Sequence, residues 1–124
     1  MSDTPRNLVC WTEIPVSDLD AARAFYAHVL KVELKITDGG PNPIVDLPTG
    51  PTGTGVSGHL YPGKPSGDGP TIHFVAPDSL DAVRARVVSG GGTVVSPDIT
   101  IPPGTFFYAQ DPDGNSIGFF NYNR

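Results

Sequence analysis

Apolar positions along the chain switch period twice within each half. Residues 8–16 (LVCWTEIPV) are rich in β-branched and aromatic side chains, which suits a pleated strand. From Leu19 the period turns helical. Leu19, Ala22, Phe25, Tyr26, Val29 and Leu30 recur at spacings of three and four, and predict an amphipathic helix over 17–30. Ser17 stands ahead of it as the expected N-cap, with Asp20 completing a shortened capping box. Residues 32–36 read as the next strand. Glycine and proline crowd residues 39–54 and leave room only for a short strand near 44–47. Residues 55–61 (GVSGHLY) form another strand before the turn-rich stretch 62–70.

The order then returns. Residues 71–76 (TIHFVA) predict a strand, and Pro77-Asp78-Ser79 opens a second helix. Leu80, Val83, Val87 and Val88 supply its apolar stripe, and Gly90-Gly91-Gly92 ends it. Strands follow at 93–95, 105–109 and 116–122, the last after the turn Asp111-Pro112-Asp113-Gly114. Residues 18–25 (DLDAARAF) and 79–86 (SLDAVRAR) share five of eight positions at an offset of 61, half the chain. Such internal repetition predicts two βαβββ units, about 7–62 and 70–123, in a single domain spanning 1–124. The fold class is α+β. Helices cover one face of a curved mixed sheet, and the other, concave face is left to line a cleft.

Composition narrows the partners. A net charge of −5 with no Lys/Arg cluster argues against a nucleic-acid backbone or an anionic membrane surface. No run approaches the length of a membrane span, and residues 1–7 carry no apolar core of a secretion signal. The lone Cys10 excludes an intrachain disulfide and favours a reducing, cytoplasmic setting. It alternates with Trp11 and is expected to pack as a small hydrophobe under the helices. The glycines of 50–55 lack the Lys-Ser/Thr ending of a phosphate loop.

At this point the chain resembles the vicinal oxygen chelate superfamily, which includes glyoxalase I, bleomycin-resistance and fosfomycin-resistance proteins and extradiol dioxygenases. The likeness rests on residues 16–26 (VSDLDAARAFY), on Leu80-Asp81-Ala82 with the glycines that end the second helix, and on the turn Asp111-Pro112-Asp113-Gly114-Asn115. The three pieces fall in the family's order and cover essentially the whole chain. The resemblance implies a homodimer and, in metal-using members, four side chains on the concave face that chelate a divalent ion. Carried over position by position, those ligands fall on Trp11, Ile72, Gly118 and Gly58, with His59 one residue from the last. At Trp11, Ile72 and Gly118 there is no donor side chain, so no metal and no other cofactor is expected.

Glu13 lies two residues beyond Trp11 and shares its face, which makes it the candidate catalytic acid or base. The reading open beside it is a carboxylate at a solvated cleft mouth. The expected cleft comprises Trp11, Glu13, Gly58, His59, Tyr61, Ile72, Phe107, Gly118 and Tyr122. Its aromatic members would stack on a flat ligand or, alternatively, pack in a core or subunit interface. His73 neighbours Ile72 and is expected to face the helices, whereas His28 is expected to be solvated. The leading function is binding of a small organic molecule, cationic or aromatic, by sequestration of the bleomycin-resistance type. The alternative is an enzyme. It would be a metal-independent lyase or isomerase using Glu13, or a metal-dependent lyase or dioxygenase with ligands displaced onto Glu13, His59 and His73.

Overall fold

The computed structural model describes residues 11–38, 42–48 and 57–123. The expectations for Cys10 and for the glycines of 50–55 fall outside these residues. Strand β1 (Trp11–Val16) leads into helix α1 (Leu19–Leu30), followed by β2 (Ile36–Thr37), β3 (Ile44–Asp46) and β4 (Ser57–Pro62). The second unit runs β5 (Ile72–Val75), α2 (Leu80–Ser89), β6 (Thr93–Val94), β7 (Ile99–Ile101), β8 (Gly104–Gln110) and β9 (Ser116–Tyr122). The first sheet has the order β1-β4-β3-β2 and the second β5-β9-β8-β6, with β7 also on β8. In both, the strand before the helix pairs in parallel with the last strand of its unit. The two sheets therefore repeat one topology, and the α+β reading holds.

Alternation decides which face is covered. Ile14 and Val16 on β1, Leu60 on β4, Phe107 and Ala109 on β8, and Ile117 and Phe119 on β9 meet Phe25, Tyr26 and Val29 of α1 and Leu80, Val83 and Val87 of α2 in one core. Burying each such side chain contributes about 1.5–3 kcal/mol. Val88, expected in the stripe of α2, is instead 63% exposed. It lies one residue past Val87, a turn of about 100° that carries it off the buried face.

The first helix starts one residue later than its sequence suggests. Asp18 is the cap, accepting from the Ala21 N–H at 3.1 Å, and the Ser79 hydroxyl does the same for α2 from the Ala82 N–H. Ser17, freed from capping, donates from both its N–H and its hydroxyl to the Asp113 carboxylate in the β8–β9 turn. That turn is built around Asp111, 3% exposed, which accepts from the Tyr26 hydroxyl, the N–H groups of Asp113 and Asn115, and the Asn115 amide. Asn115 also donates to the Pro15 carbonyl at 2.6 Å. The DPDGN turn thus ties the second sheet to β1 and α1 of the first unit.

Candidate functional site

β1 presents Trp11, Glu13 and Pro15 on the face away from the helices. The register pairs Glu13 with His59 of β4, and His59 with Asp46 of β3. His59 and Tyr61 share that open face, in edge contact at 6.2 Å. The Trp11 indole Nε1 donates to His59 Nδ1 at 2.9 Å, and His59 Nε2 lies 3.0 Å from a Glu13 carboxylate oxygen. An indole can only donate, so Nδ1 must be a lone pair and Nε2 must carry the proton given to Glu13. Trp11, His59 and Glu13 form one chain in which both imidazole nitrogens are engaged. His59 is mostly covered (15% exposed), whereas Glu13 is 63% exposed.

Beside this chain lies a cavity of about 610 Å³, where β1 meets the start of β5 and the loop at 66–70. Trp11, Glu13, Pro15, Thr71, His73 and Ser116 line it. A second cavity, about 430 Å³, opens toward the helix side between Leu30, Leu47, Gly58 and Phe74. In the second sheet the open face is aromatic. His73 lies against Phe106 at 5.2 Å and Tyr108 at 5.7 Å, and Phe106 stacks on Phe120 at 5.8 Å. Partial burial there pushes the His73 imidazole below its usual pKa.

These positions correct the expectations for His73, Phe107 and Gly58. His73 points to the open face and Ile72 packs toward the core, though it also borders both cavities. The strand-to-helix link explains the reversal. Two residues separate Val16 from α1, but three (Pro77, Asp78 and Ser79) separate Ala76 from α2. The helices repeat at 61 residues, while the strands repeat in phase at 60, so Glu13 corresponds to His73 and Trp11 to Thr71. Phe107 is fully buried in the core beneath the Arg84 guanidinium, and its neighbours Phe106 and Tyr108 take the open face instead. Gly58 turns toward the helix side, leaving His59 on the open face. Gly118 sits under the His73 ring, and Tyr122 ends the aromatic face against Phe120 at 4.8 Å. His28 is exposed as expected, meeting the Ser89 hydroxyl.

The displaced metal site fails for the same reason. Glu13 and His59 are paired with each other and His73 stands on the other sheet. Among the described residues no three His, Cys, Asp or Glu side chains converge where a metal ion could be held. The described residues at this place do not form a set that fits a divalent ion.

Comparison with known proteins agrees with this architecture. The family model described as the Glyoxalase/Bleomycin resistance protein/Dioxygenase superfamily matches residues 9–119. A protein of Mycobacterium bovis named "Putative glyoxylase CFP32" is 29% identical over 119 residues, covering 92% of this chain and 45% of that protein. A Mycobacterium tuberculosis protein of the same name matches equally, so the chain spans about half the length of the curated relatives it matches. A glyoxalase/bleomycin resistance protein from Albidiferax ferrireducens superimposes with a TM-score of 0.69 at 20% identity, covering 94% of this chain and all of that one. A lactoylglutathione lyase from Agrobacterium tumefaciens gives a TM-score of 0.61 at 23% identity, covering 94% of each chain. Likeness at these identities speaks for the fold alone.

Proposed function

The chain belongs to the glyoxalase/bleomycin resistance protein/dioxygenase superfamily, and we propose that it binds a small organic molecule in the Trp11–Glu13 cavity without a metal ion. The observation that carries this reading is the hydrogen-bonded chain Trp11–His59–Glu13. It places an indole where the resemblance puts a metal ligand, and it occupies both nitrogens of the His59 imidazole. What this chain leaves open to a ligand is the exposed carboxylate of Glu13 and the apolar plate of Trp11. No Lys or Arg lines the cavity among the described residues. A cationic or aromatic molecule suits those surfaces, by ion pairing and by stacking or cation–π contact. Sequestration of the bleomycin-resistance type is the function this reading gives. A homodimer and a cytoplasmic location belong to the same proposal. The first is supported by the exposed Val75, Tyr108 and Tyr122 of the second sheet, the second by the lone Cys10.

The test is a screen of organic cations followed by tryptophan emission, with each bound ligand recovered and weighed by mass spectrometry. The reading expects ligand returned unchanged after long incubation. Glu13→Gln should weaken a cationic ligand by up to about 1 kcal/mol, the ceiling for an exposed ion pair. One observation favours a second reading, a metal-independent lyase or isomerase. The second carboxylate oxygen of Glu13 has no protein partner among the described residues, and so can take a proton from a bound molecule. Product formation by the wild type that Glu13→Gln abolishes while binding persists would establish the enzyme and overturn sequestration.

A further inference from the structure

We propose that the cleft takes a polyhydroxylated amine, the chemical class of an amino sugar, in preference to a plain or aromatic cation. This rests on the binding of a cation at Glu13 proposed above. The hydroxyl groups that β5 and β9 bring to the cavity carry it. Thr71, just ahead of β5, and Ser116, the first residue of β9, stand side by side next to the Ile72–Ile117 pair, with their hydroxyl oxygens 2.5 Å apart. A hydroxyl donates one proton and accepts on its lone pairs. The mutual bond uses one of the two protons. The other, with most of the lone pairs, has no further protein partner among the described residues. Ser66 adds a third hydroxyl to the same wall, its oxygen accepting from the Asp68 N–H at 3.2 Å. Asn115, 5% exposed, fixes that wall against β1. Its amide accepts from the Ser66 N–H at 2.9 Å and donates to the Pro15 carbonyl and to Asp111.

The other surfaces decide between ligand classes. Thr71 holds in the second unit the place that Trp11 holds in the first, so hydroxyl pair and indole line one cavity from its two sheets. At about 610 Å³ it has the size of an ordinary small-ligand pocket. The Glu13 carboxylate attracts a cation, but an ion pair in so exposed a place contributes little by itself. A plain amine therefore gains little here. A flat aromatic cation stacks on the indole, which is 45% exposed, but it lays hydrocarbon on the hydroxyls and strips their water without replacing it. A sugar ring with an amine meets all three surfaces. Its C–H face lies on the negative face of the indole, its hydroxyls both donate and accept at Thr71 and Ser116, and its ammonium reaches Glu13.

The experiment is a set of nitrogen-15 chemical-shift titrations of the full chain at neutral pH with matched probes. Glucosamine carries both amine and hydroxyls. Glucose lacks the amine, cyclohexylamine lacks the hydroxyls, and benzylamine puts a flat ring in their place. The wild type should bind glucosamine about tenfold more tightly than each of the others, the ratio that one or two net hydrogen bonds supply. Ser116→Ala and Thr71→Val should each weaken glucosamine roughly fivefold and leave cyclohexylamine unchanged. A loss shared equally by both amines marks these hydroxyls as parts of the fold alone and overturns the assignment. Should Thr71→Val not fold, Ser116→Ala and the wild-type ratios decide. Cyclohexylamine or benzylamine binding as tightly as glucosamine overturns the amino-sugar class and leaves the cation-binding reading standing. Glucose binding as tightly as glucosamine overturns it as well, since Glu13 then contributes nothing. No shift with any of the four also overturns it, and the screen of organic cations then decides the broader reading on its own.

Discussion

Two glycines show how closely individual residues are constrained. A Cβ on Gly58 would stand 2.1 Å from the Thr12 carbonyl oxygen, a backbone atom held by the β1–β4 ladder. A Cβ on Gly118 would stand 2.3 Å from Nδ1 of His73, a side chain that can swing aside. Gly58→Ala should therefore cost about 1–3 kcal/mol or more in a denaturant titration, because strands must part. Gly118→Ala should cost less and instead displace the imidazole from the open face. Equal losses would mean that His73 is as fixed as the backbone. His73 carries a second expectation. Its folded pKa lies below the unfolded one, so the unfolded chain binds the proton more readily. Stability is complete above the unfolded histidine pKa and falls as pH drops through it, and His73→Gln should flatten that slope. Neither property of His73 was legible beforehand. Parity along a strand follows from sequence, but which parity faces out depends on where the strand stops before its helix. Trp11 and Glu13 were placed together because period-two alternation alone fixes that pairing. Their bridge through His59 needed the β1–β4 register.

At the scale of elements, both helices were legible from their apolar spacing, and each begins within two residues of the expected start. Their caps were half legible. Ser79 caps α2, whereas α1 takes Asp18 because Ser17 is drawn to Asp113 across the molecule. A side chain with two local uses is assigned by tertiary contact, which adjacent residues do not reveal. β7 was missed altogether. It is three residues among prolines, and it exists because β8 offers it an edge. The expected strand at 32–36 shrinks to Ile36–Thr37, since Leu34 turns into the core ahead of it. The junction of α1 with the β8–β9 turn makes a sharp prediction. Tyr26 is fully buried, and burial together with the Asp111 charge keeps its hydroxyl protonated as a donor. Tyr26→Phe would leave Asp111 short of one donor and should lower unfolding stability by about 1–3 kcal/mol. An unchanged midpoint would mean that the remaining three donors suffice.

For the whole molecule, the family was legible because three ordered motifs belong to helix entry, helix end and turn, the places where backbone geometry restricts residue choice. The site was less so. In this fold one architecture serves many chemistries, and what a member does depends on a few side chains on the open faces. Here those faces differ: the first sheet offers Trp11, His59 and Glu13, the second a carpet of Phe106, Tyr108, Phe120 and Tyr122. A ligand that touches both would meet charge on one side and aromatic surface on the other. Trp11→Ala should then weaken such a ligand by about 1–3 kcal/mol, the scale of one large apolar contact. A loss of folding stability without any loss of affinity would return Trp11 to the packing of the fold. The central claim, a cleft that works without a metal ion, is tested most directly by elemental analysis of the purified protein joined to thermal melting with and without chelator. The account predicts no stoichiometric zinc, nickel, manganese or iron and a melting temperature indifferent to chelator. About one equivalent of metal per chain, removed by chelator with a fall in melting temperature, would contradict it.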